Sequence, residues 1–209
     1  MNSRHKILNQ LRTNGRAADL PGPWRSRRQF DDLAGRFDEA LTAAKGECHH
    51  AASLDAAVEQ LHQLLRELNA ARVVVNAEPP LTDLDLPARW PDFQWHTVGQ
   101  SNGDLRAFCA SADVGLSGAD AALAETGSVI VSSGPGRSRL ATLLPEVHLA
   151  LVPISCLTAD IFTWTAGRQG ELPANQVIVS GPSKTGDIEQ TMAIGVHGPK
   201  RFIVILYQD

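Results

Sequence analysis

A glycine-rich stretch near the end of the chain, GPSKTGDIE (181–189), brings hydroxyl, ammonium and carboxylate groups into one short segment. Its two glycines permit positive φ angles, so that backbone N–H groups can converge on one point. Together with a lysine ammonium and two hydroxyl donors, such amides suit a phosphate or a carboxylate. The stretch therefore predicts an anion-binding loop. Its candidate ligand-binding residues are Gly181, Ser183, Lys184, Thr185 and Asp187.

The same residues also fit a purely structural role. Asp187 can accept a backbone hydrogen bond as the N-cap of a short helix, with Glu189 in the first turn. Caps and turns use the same small polar residue types as anion-binding loops. Local chemistry alone leaves both interpretations open.

A histidine lies in the next turn, GVHGP (195–199). His197 stands between Val196 and Gly198, in a loop that two glycines and a proline constrain. An imidazole there is a candidate general acid or base, because it exchanges a proton near neutral pH. Many loop histidines only hydrogen-bond to their surroundings, and that alternative stays open. Gly198 is a further candidate ligand-binding residue.

A third stretch, Glu125-Thr126-Gly127, directly precedes the β-branched run SVIVSSG at 128–134. A carboxylate at the edge of a buried strand is costly unless it is paired or used. Glu125 is therefore a candidate catalytic base or nucleophile, and Thr126 and Gly127 are candidate ligand-binding residues. A helix-end acid that reaches solvent or a backbone N–H is the alternative. The alanines just before it, at 119–124, predict a helix of small residues.

Two arginines follow in PGRSRLATLLPEVH (135–148). The guanidinium group of Arg137 or Arg139 can bind a carboxylate through two parallel hydrogen bonds. Either group can instead add only surface charge. Both interpretations stay open at this point.

Common cofactor signatures are missing from the sequence. GPSKTGDI lacks the Lys-Ser/Thr pair that ends a P-loop, and GPGRSR (134–139) lacks the third glycine of a dinucleotide site. No G-x-S-x-G or H-E-x-x-H motif is present. The histidines have no ligand spacing, and three cysteines cannot supply the four thiolates of the usual iron–sulfur cluster. We therefore expect no metal or cofactor to be bound by this chain.

The polar stretches are set in an alternation of helical and strand-like segments. Continuous β-branched runs separated by helices predict an α/β fold with a mostly parallel sheet flanked by helices. In such sheets ligands bind outside the carboxyl ends of the strands, and the polar stretches lie close to strand ends. Strands are predicted at 47–52, 72–77, 93–99, 128–134, 148–154, 176–181 and 201–207. Helices are predicted at 1–14, 30–45, 54–68, 104–111 and 158–167, the third of them capped by Ser53.

The bulk composition is that of one globular domain with a short extension. The chain has 209 residues and is 43% apolar and 20% charged. We predict a basic N-terminal helix and linker at 1–28 and one α/β domain at 29–209. The net charge of −4 argues against general nucleic-acid binding. The longest apolar run, FIVILY, is too short to span a membrane, and sparse cysteines without a secretory signal predict a cytoplasmic location.

Four motifs, in this order and spacing, resemble the LUD domain of the lactate-utilisation protein C (LutC) family: ADAALAETGSVIV, LPEVHLALVP, GPSKTGDIE and GVHGP. The similarity is dense from Ala112 to Pro199, and the preceding helices fit the family's layout. The third motif more usually has Arg and Ala where Lys184 and Gly186 stand. The positive charge at 184 is kept, whereas the bidentate geometry of an arginine is not.

The resemblance implies a fold like that of the NagB, ribose-5-phosphate isomerase and CoA-transferase group, extended here by an N-terminal helix. It also implies a role in the oxidation of L-lactate to pyruvate, beside an iron–sulfur subunit and a second redox subunit. We therefore expect an accessory component of a lactate-oxidising complex. It would bind a small anionic ligand, a carboxylate or a phosphate, or a partner, through the loops at Glu125, 181–189 and His197.

Two alternatives stay open. In the first, the chain is a stand-alone isomerase- or CoA-transferase-like enzyme that uses Glu125 as base or nucleophile and His197 as proton shuttle. Its anionic substrate would be held by Lys184, Ser183 and Thr185. In the second, the chain is a regulatory binding module without catalysis. Analogy at the level of the fold does not choose among these functions.

Overall fold

A computed structural model of the chain describes residues 3–13, 24–168, 170–186 and 192–209. Asp187 and Glu189 lie outside these residues. The helices are α1 (Ser3–Thr13), α2 (Leu33–Ala43), α3 (Leu54–Glu67), α4 (Leu86–Arg89), α5 (Leu105–Ala110), α6 (Arg139–Leu143) and α7 (Ile161–Gly167), with 3-10 turns at Leu81–Leu84 and Ile154–Cys156. The strands are β1 (Glu47–Ala51), β2 (Arg72–Val75), β3 (Gln94–Thr97), β4 (Val114–Ser117), β5 (Ala121–Leu123), β6 (Ser128–Ser133), β7 (Val147–Pro153), β8 (Leu157–Thr158), β9 (Asn175–Val179), β10 (Lys184–Gly186), β11 (Met192–Ile194) and β12 (Arg201–Tyr207).

The large sheet has six strands in the order β1-β12-β7-β4-β2-β3, and every neighbouring pair is parallel. The predicted mostly parallel sheet is thereby confirmed. Consecutive side chains of a strand point to opposite faces, so a strand buried on both faces reads as a continuous apolar run. On β12, Ile203 and Ile205 belong to the core on one face, and Phe202 and Val204 to the core on the other.

The two faces of the large sheet are covered differently. Helix α3 buries Leu61 and Leu65 against the first face. It begins where the sequence predicts, because the Ser53 hydroxyl accepts a hydrogen bond from the Ala56 amide at 3.2 Å. On the second face, Leu41 of α2 packs in a core that also contains residues of a second, smaller sheet.

The helices are short. Helix α3 has 14 residues, and α1, the predicted N-terminal helical extension, contains no buried residue. Within the described ranges, no helix is both long and apolar enough to cross a membrane.

The second sheet has four strands in the order β8-β5-β6-β9, with β6 antiparallel to both of its neighbours. It contains the strands predicted at 128–134 and 176–181, which therefore do not join the parallel sheet. The helix predicted at 119–124 is wrong. Ala121–Leu123 form β5 instead, since they pair with β6 on one side and β8 on the other and are buried there. In so short a segment, tertiary pairing outweighs the helix propensity of alanine.

A histidine is fully buried in the middle of the large sheet. The His148 Nε2 atom lies 2.8 Å from the Ser117 hydroxyl, and the ring packs on Phe202 with centroids 5.0 Å apart. Burial lowers the pKa of His148 to about 3, because the charged imidazolium would lose its hydration. The side chain is therefore neutral at physiological pH.

We predict that this buried imidazole makes the fold sensitive to acid. A histidine in the unfolded chain has a pKa of about 6.5. As the pH is lowered from that value to about 3, the unfolded state binds a proton that the folded state does not bind, and the free energy of unfolding decreases. By pH 5 the loss is roughly 2 kcal/mol relative to pH 7. Urea unfolding of wild type and His148→Gln at both pH values measures it. The variant should lose less stability than the wild type, and equal losses would contradict the assignment.

Candidate functional site

The order of strands reverses at β2. The chain passes from β2 to β3 on one side of it and then returns to β4 on the other side. In open α/β sheets, ligands bind outside the carboxyl ends of the strands at such a switch point. Asn76 and Glu78 follow β2 here, and Gly118 and Asp120 follow β4. The topology therefore places three polar side chains where a ligand is expected.

Backbone contacts hold these loops in position. The Gly118 amide donates to Glu78 Oε1 at 3.0 Å, which ties the end of β4 to the end of β2. The Asn76 side chain accepts a hydrogen bond from the Ser138 amide at 3.0 Å. The Ala77 amide donates to the Gly136 carbonyl at 2.8 Å. The turn at 134–138 is thus docked on the end of β2, and it carries Arg137 into the switch point.

Arg137 is the centre of the site. Its Nη1 atom lies 3.0 Å from Asp120 Oδ1 and 3.7 Å from Glu78 Oε2. The Ser132 hydroxyl donates to Asp120, and the Gln176 amide donates to Ser132 at 3.0 Å. The guanidinium of Arg168 in turn donates a hydrogen bond to Gln176 Oε1. We call these six residues the switch-point cluster: Glu78, Asp120, Ser132, Arg137, Arg168 and Gln176.

A cleft of about 530 Å³ opens beside the cluster. All of the cluster except Glu78 lines it, and the Trp164 ring adds an apolar wall. The ion pairs of Arg137 with Asp120 and Glu78 both use Nη1. Among the described residues, its Nη2 and Nε therefore remain available as donors. Two guanidinium groups, a hydroxyl and an amide in one cleft can bind a carboxylate and a neighbouring oxygen.

Glu78 lies behind Arg137 and is only 6% exposed. Burial raises the pKa of this carboxyl group above its ordinary value of 4.5. The hydrogen bonds from Gly118 and Asn76 and the charge of Arg137 oppose that shift without cancelling it. The protonation state of this buried carboxyl group therefore determines the net charge around Arg137.

Glu125, the predicted catalytic carboxylate, does not line the cleft. Its side chain forms an ion pair with Arg28 and is 28% exposed. Its backbone carbonyl accepts a hydrogen bond from Arg36 of α2 at 3.2 Å, and its amide donates to the Ala159 carbonyl at 2.9 Å. The partner that a partly buried carboxylate at this position requires is Arg28 of this chain.

Thr126 and Gly127 lie against neighbouring elements. The Thr126 and Ser128 hydroxyls are 2.7 Å apart, and Ser128 is a further 2.7 Å from the Ser180 hydroxyl. Gly127 has φ of +61°, and a methyl group on it would lie 2.1 Å from the Leu41 nitrogen of α2. The glycine is therefore required for the close approach of this turn to α2.

Two residues of the glycine-rich stretch also contact the end of α2. Gly181 has φ of +141°, and a methyl group on it would lie 2.8 Å from the Ala44 carbonyl oxygen. The Lys184 ammonium donates a hydrogen bond to that same oxygen. A cation on the last carbonyls of a helix stabilises its C-terminus. Thr185 pairs with Ala193 in the β10-β11 hairpin. Asp187 lies outside the described residues.

The other predicted residues meet at a smaller cavity of about 210 Å³, lined by Gly181, Ser183, His197 and Gly198 with the buried His148. The Ser183 amide donates to the Pro199 carbonyl at 2.8 Å, which joins the two glycine-rich turns. The structure thus brings four predicted residues together. It places neither Glu125 nor Lys184 among the residues that line this cavity.

None of the three cysteines is an activated nucleophile. Burial raises the pKa of the Cys48 thiol to about 12 and that of Cys109 to about 11. Burial also raises the pKa of Cys156, with the Asp209 and Asp120 carboxylates adding to the shift. The thiolate is the nucleophilic form, so none of these thiols is poised to react at neutral pH.

Most of the switch-point cluster is not found by reading motifs. Arg137 is a candidate from the sequence, and Asp120 lies inside a quoted motif without being singled out. Glu78 could be found by applying the strand-end rule to β2. Ser132 and Gln176 read only as strand residues, because their side chains converge through antiparallel pairing of β6 and β9.

The model of the LUD domain family matches residues 34–207. The chain belongs to the LUD domain family. A lactate utilization protein C of an Exiguobacterium species is 33% identical over 72% of this LUD chain and 67% of its own. The protein of that name from Halalkalibacterium halodurans is 31% identical over 75% of this chain and 71% of its own. The one from Bacillus subtilis is 25% identical over 98% of this chain and 94% of its own.

The crystal structure of a DUF162 family protein from Deinococcus radiodurans has the same fold as this LUD domain. The TM-score is 0.56 at 20% sequence identity, and the match covers 84% of this chain and 96% of the other. At this identity the likeness is one of fold alone. It agrees with the predicted α/β architecture.

We predict that Gly127→Ala destabilises the LUD domain by about 3 kcal/mol, because the methyl group meets the α2 backbone at a left-handed φ. Gly186→Ala is the matched control, since a methyl group there meets no atom of the described residues within 4 Å. It should change stability by less than about 0.5 kcal/mol. Urea unfolding measures both. A Gly127→Ala protein as stable as the control would contradict the packing of this turn on α2.

We also predict opposite pH effects for two carboxylates. The folded pKa of Glu78 is raised, so its contribution to stability is lost as pH rises from 4.5 through the folded value. The pKa of Glu47 is lowered by its hydrogen bond to Arg201, so its contribution is lost as pH falls through the folded value. The stability difference between wild type and Glu78→Gln should therefore decrease with pH, and that for Glu47→Gln should increase. Unfolding midpoints measured from pH 2.5 to 8, which includes the range below 4.5 where Glu47 titrates, would contradict this if the two trends had one sign.

Proposed function

We propose that this LUD domain protein takes part in lactate utilisation as an accessory component that binds a small carboxylate ligand beside the switch-point cluster. The relatives named lactate utilization protein C support the process. The position of Arg137 carries the binding role. This arginine lines the cleft at the switch point of the sheet, and its ion pairs within the described part of the chain use Nη1.

The chemistry of the cleft suits a 2-hydroxy or 2-oxo acid. Arg137 and Arg168 supply charged donors for a carboxylate. The Ser132 hydroxyl and the Gln176 amide can hydrogen-bond to the adjacent oxygen. Trp164 offers an apolar surface to a methyl group. A cleft of about 530 Å³ is larger than a three-carbon acid, which leaves room beside it for a second group.

Oxidation of L-lactate to pyruvate removes two electrons and two protons, and the electrons need an acceptor. We assign that acceptor to iron–sulfur and redox partner subunits. The three cysteines of this chain lie on different parts of the fold, in β1, in α5 and after β7, and the usual iron–sulfur cluster takes four thiolates. The contribution of this chain would then be to hold the acid or dock the partner that oxidises it.

A stand-alone enzyme built on Glu125 and His197 is the second hypothesis. Its support is the cavity that His197 and Ser183 line. Against it, Glu125 is paired with Arg28 and is not among the residues that line this cavity. Such an enzyme would have to release Glu125 from the arginine before using it as a base.

We predict that L-lactate and pyruvate bind the purified full chain and that Arg137→Gln weakens binding about tenfold or more, since a charged hydrogen-bonding partner is lost. Arg139→Gln is the matched control, because Arg139 does not line the cleft. Chemical shifts titrated with each acid measure the affinities. Equal losses in both variants, or wild-type affinity in Arg137→Gln, would contradict the proposed site.

The accessory role has its own test. The protein alone should not convert L-lactate to pyruvate, and it should co-purify with a cysteine-rich iron–sulfur protein when both are expressed together. Lactate oxidation by the purified chain without any added redox subunit would overturn the accessory role. It would leave the ligand site itself intact, because that rests on the titrations.

A further inference from the structure

Three side chains of types that commonly bind metals meet beside β1, the edge strand of the large sheet, outside both cavities described above. Cys48 and His50 are two residues apart on β1 and therefore lie on the same side of the strand. Asp38 comes from α2, which packs against β1. A hydrogen bond from the hydroxyl of Thr42, one helical turn further on, reaches Asp38 Oδ1 at 3.2 Å.

The donor atoms are already close to the separations of a metal site. His50 Nε2 lies 3.0 Å from Asp38 Oδ2 and 3.9 Å from Cys48 Sγ, and all three donor atoms lie within 4.8 Å of one another. A tetrahedral zinc ion with bonds of about 2.0–2.3 Å separates an oxygen and a nitrogen donor by about 3.3 Å, and either of them from a sulfur donor by about 3.6 Å. The His50–Asp38 and His50–Cys48 separations differ from this spacing by only a few tenths of an ångström, and the Asp38–Cys48 separation is within 4.8 Å.

The supporting contacts are those that a ligand set needs. Thr42 holds Oδ1 of Asp38, which leaves Oδ2 as the atom that meets His50. Outer-shell hydrogen bonds of this kind fix the orientation of ligating carboxylates. The strand is fixed in turn by parallel pairing, with Cys48 opposite Val204 and His50 opposite Leu206 of β12. Two of the three ligands thus sit on a rigid element.

We propose that Asp38, Cys48 and His50 form a binding site for a zinc-like divalent transition metal, with the fourth position open to water. Metal binding would release the proton of the Cys48 thiol to solvent, and the resulting thiolate, with one imidazole and one carboxylate, is a donor set that zinc accepts. The His50 side chain is 48% exposed and that of Asp38 38%, so an ion can reach the site from solvent. The site departs from our expectation that this chain binds no metal, because one ligand comes from a helix that the motif spacing does not connect to β1.

A metal here would join α2 to the edge of the large sheet. Gly127 packs against Leu41 of the same helix, and Gly181 and Lys184 contact Ala44 at its end. Because an ion that binds only the folded chain stabilises it, zinc should raise the melting temperature, and the free-energy gain should grow with the logarithm of the zinc concentration above Kd. The site would thus stabilise the helix on which the predicted loops rest.

The experiment uses the reduced, chelator-treated full chain titrated with CoCl2 and then with ZnCl2. Cobalt should bind one to one and give a near-ultraviolet thiolate-to-cobalt charge-transfer band, which zinc should displace. Cys48→Ser should lose the band, and His50→Ala should weaken zinc binding at least tenfold. Thr42→Val should weaken it by about tenfold to a hundredfold, as for other outer-shell partners.

Matched controls lie close by. His49 is on the opposite side of β1, where its Nδ1 atom lies 3.3 Å from the Gln60 amide, and Cys156 lies beyond β7. His49→Ala and Cys156→Ser should bind both ions as the wild type does. Circular dichroism without metal confirms that each variant is folded. The proposal is overturned if the wild type gives no charge-transfer band, if the band persists in Cys48→Ser, or if either control loses it. A band that persists with full zinc affinity in both His50→Ala and Thr42→Val would also overturn it.

Discussion

The Arg137 guanidinium joins the six-stranded and the four-stranded sheet, since it contacts Glu78 after β2 and Asp120 in the turn that leads from β4 into β5. A carboxylate as buried as Glu78 is costly unless charged and polar partners compensate for its lost hydration. The Gly118 amide and Arg137 supply them. Arg137 and Asp120 also line the cleft, and Glu78 fixes Arg137 from behind it. Its geometry and its charge therefore depend on the same three side chains.

On the other side of the second sheet, several predicted site residues contact helix α2. Gly127, Gly181 and Lys184 all contact its last turn or the residue that follows it. From the sequence these residues resemble the parts of an anion-binding loop, since close backbone approach and a nearby cation serve both purposes. In the fold they fix the position of a helix. The cavity beside Ser183 and His197 depends on that anchoring, because Gly181 belongs to both.

The sequence predicts five of the six strands of the large sheet, because buried parallel strands read as continuous β-branched runs, and Ser53 marks the start of α3. It misses β4, since Val114–Ser117 is short and has no such run. It does not predict which runs belong to the second sheet. A strand buried against a second sheet has the same composition as one in the first, so 128–134 and 176–181 are assigned to the wrong sheet. The switch-point cluster is missed for a related reason. Asp120 and Gln176 are far apart in sequence, and only the pairing of β6 with β5 and β9 brings them to one cleft.

The most direct measurement is a crystal structure of the full chain grown with L-lactate. We predict that the lactate carboxylate lies within hydrogen-bonding distance of Arg137 in the cleft that Trp164 and Gln176 line. Its hydroxyl should then lie near Ser132. Lactate bound instead beside Ser183 and His197 would contradict the assignment of the ligand site to the switch point and would return it to the glycine-rich loops.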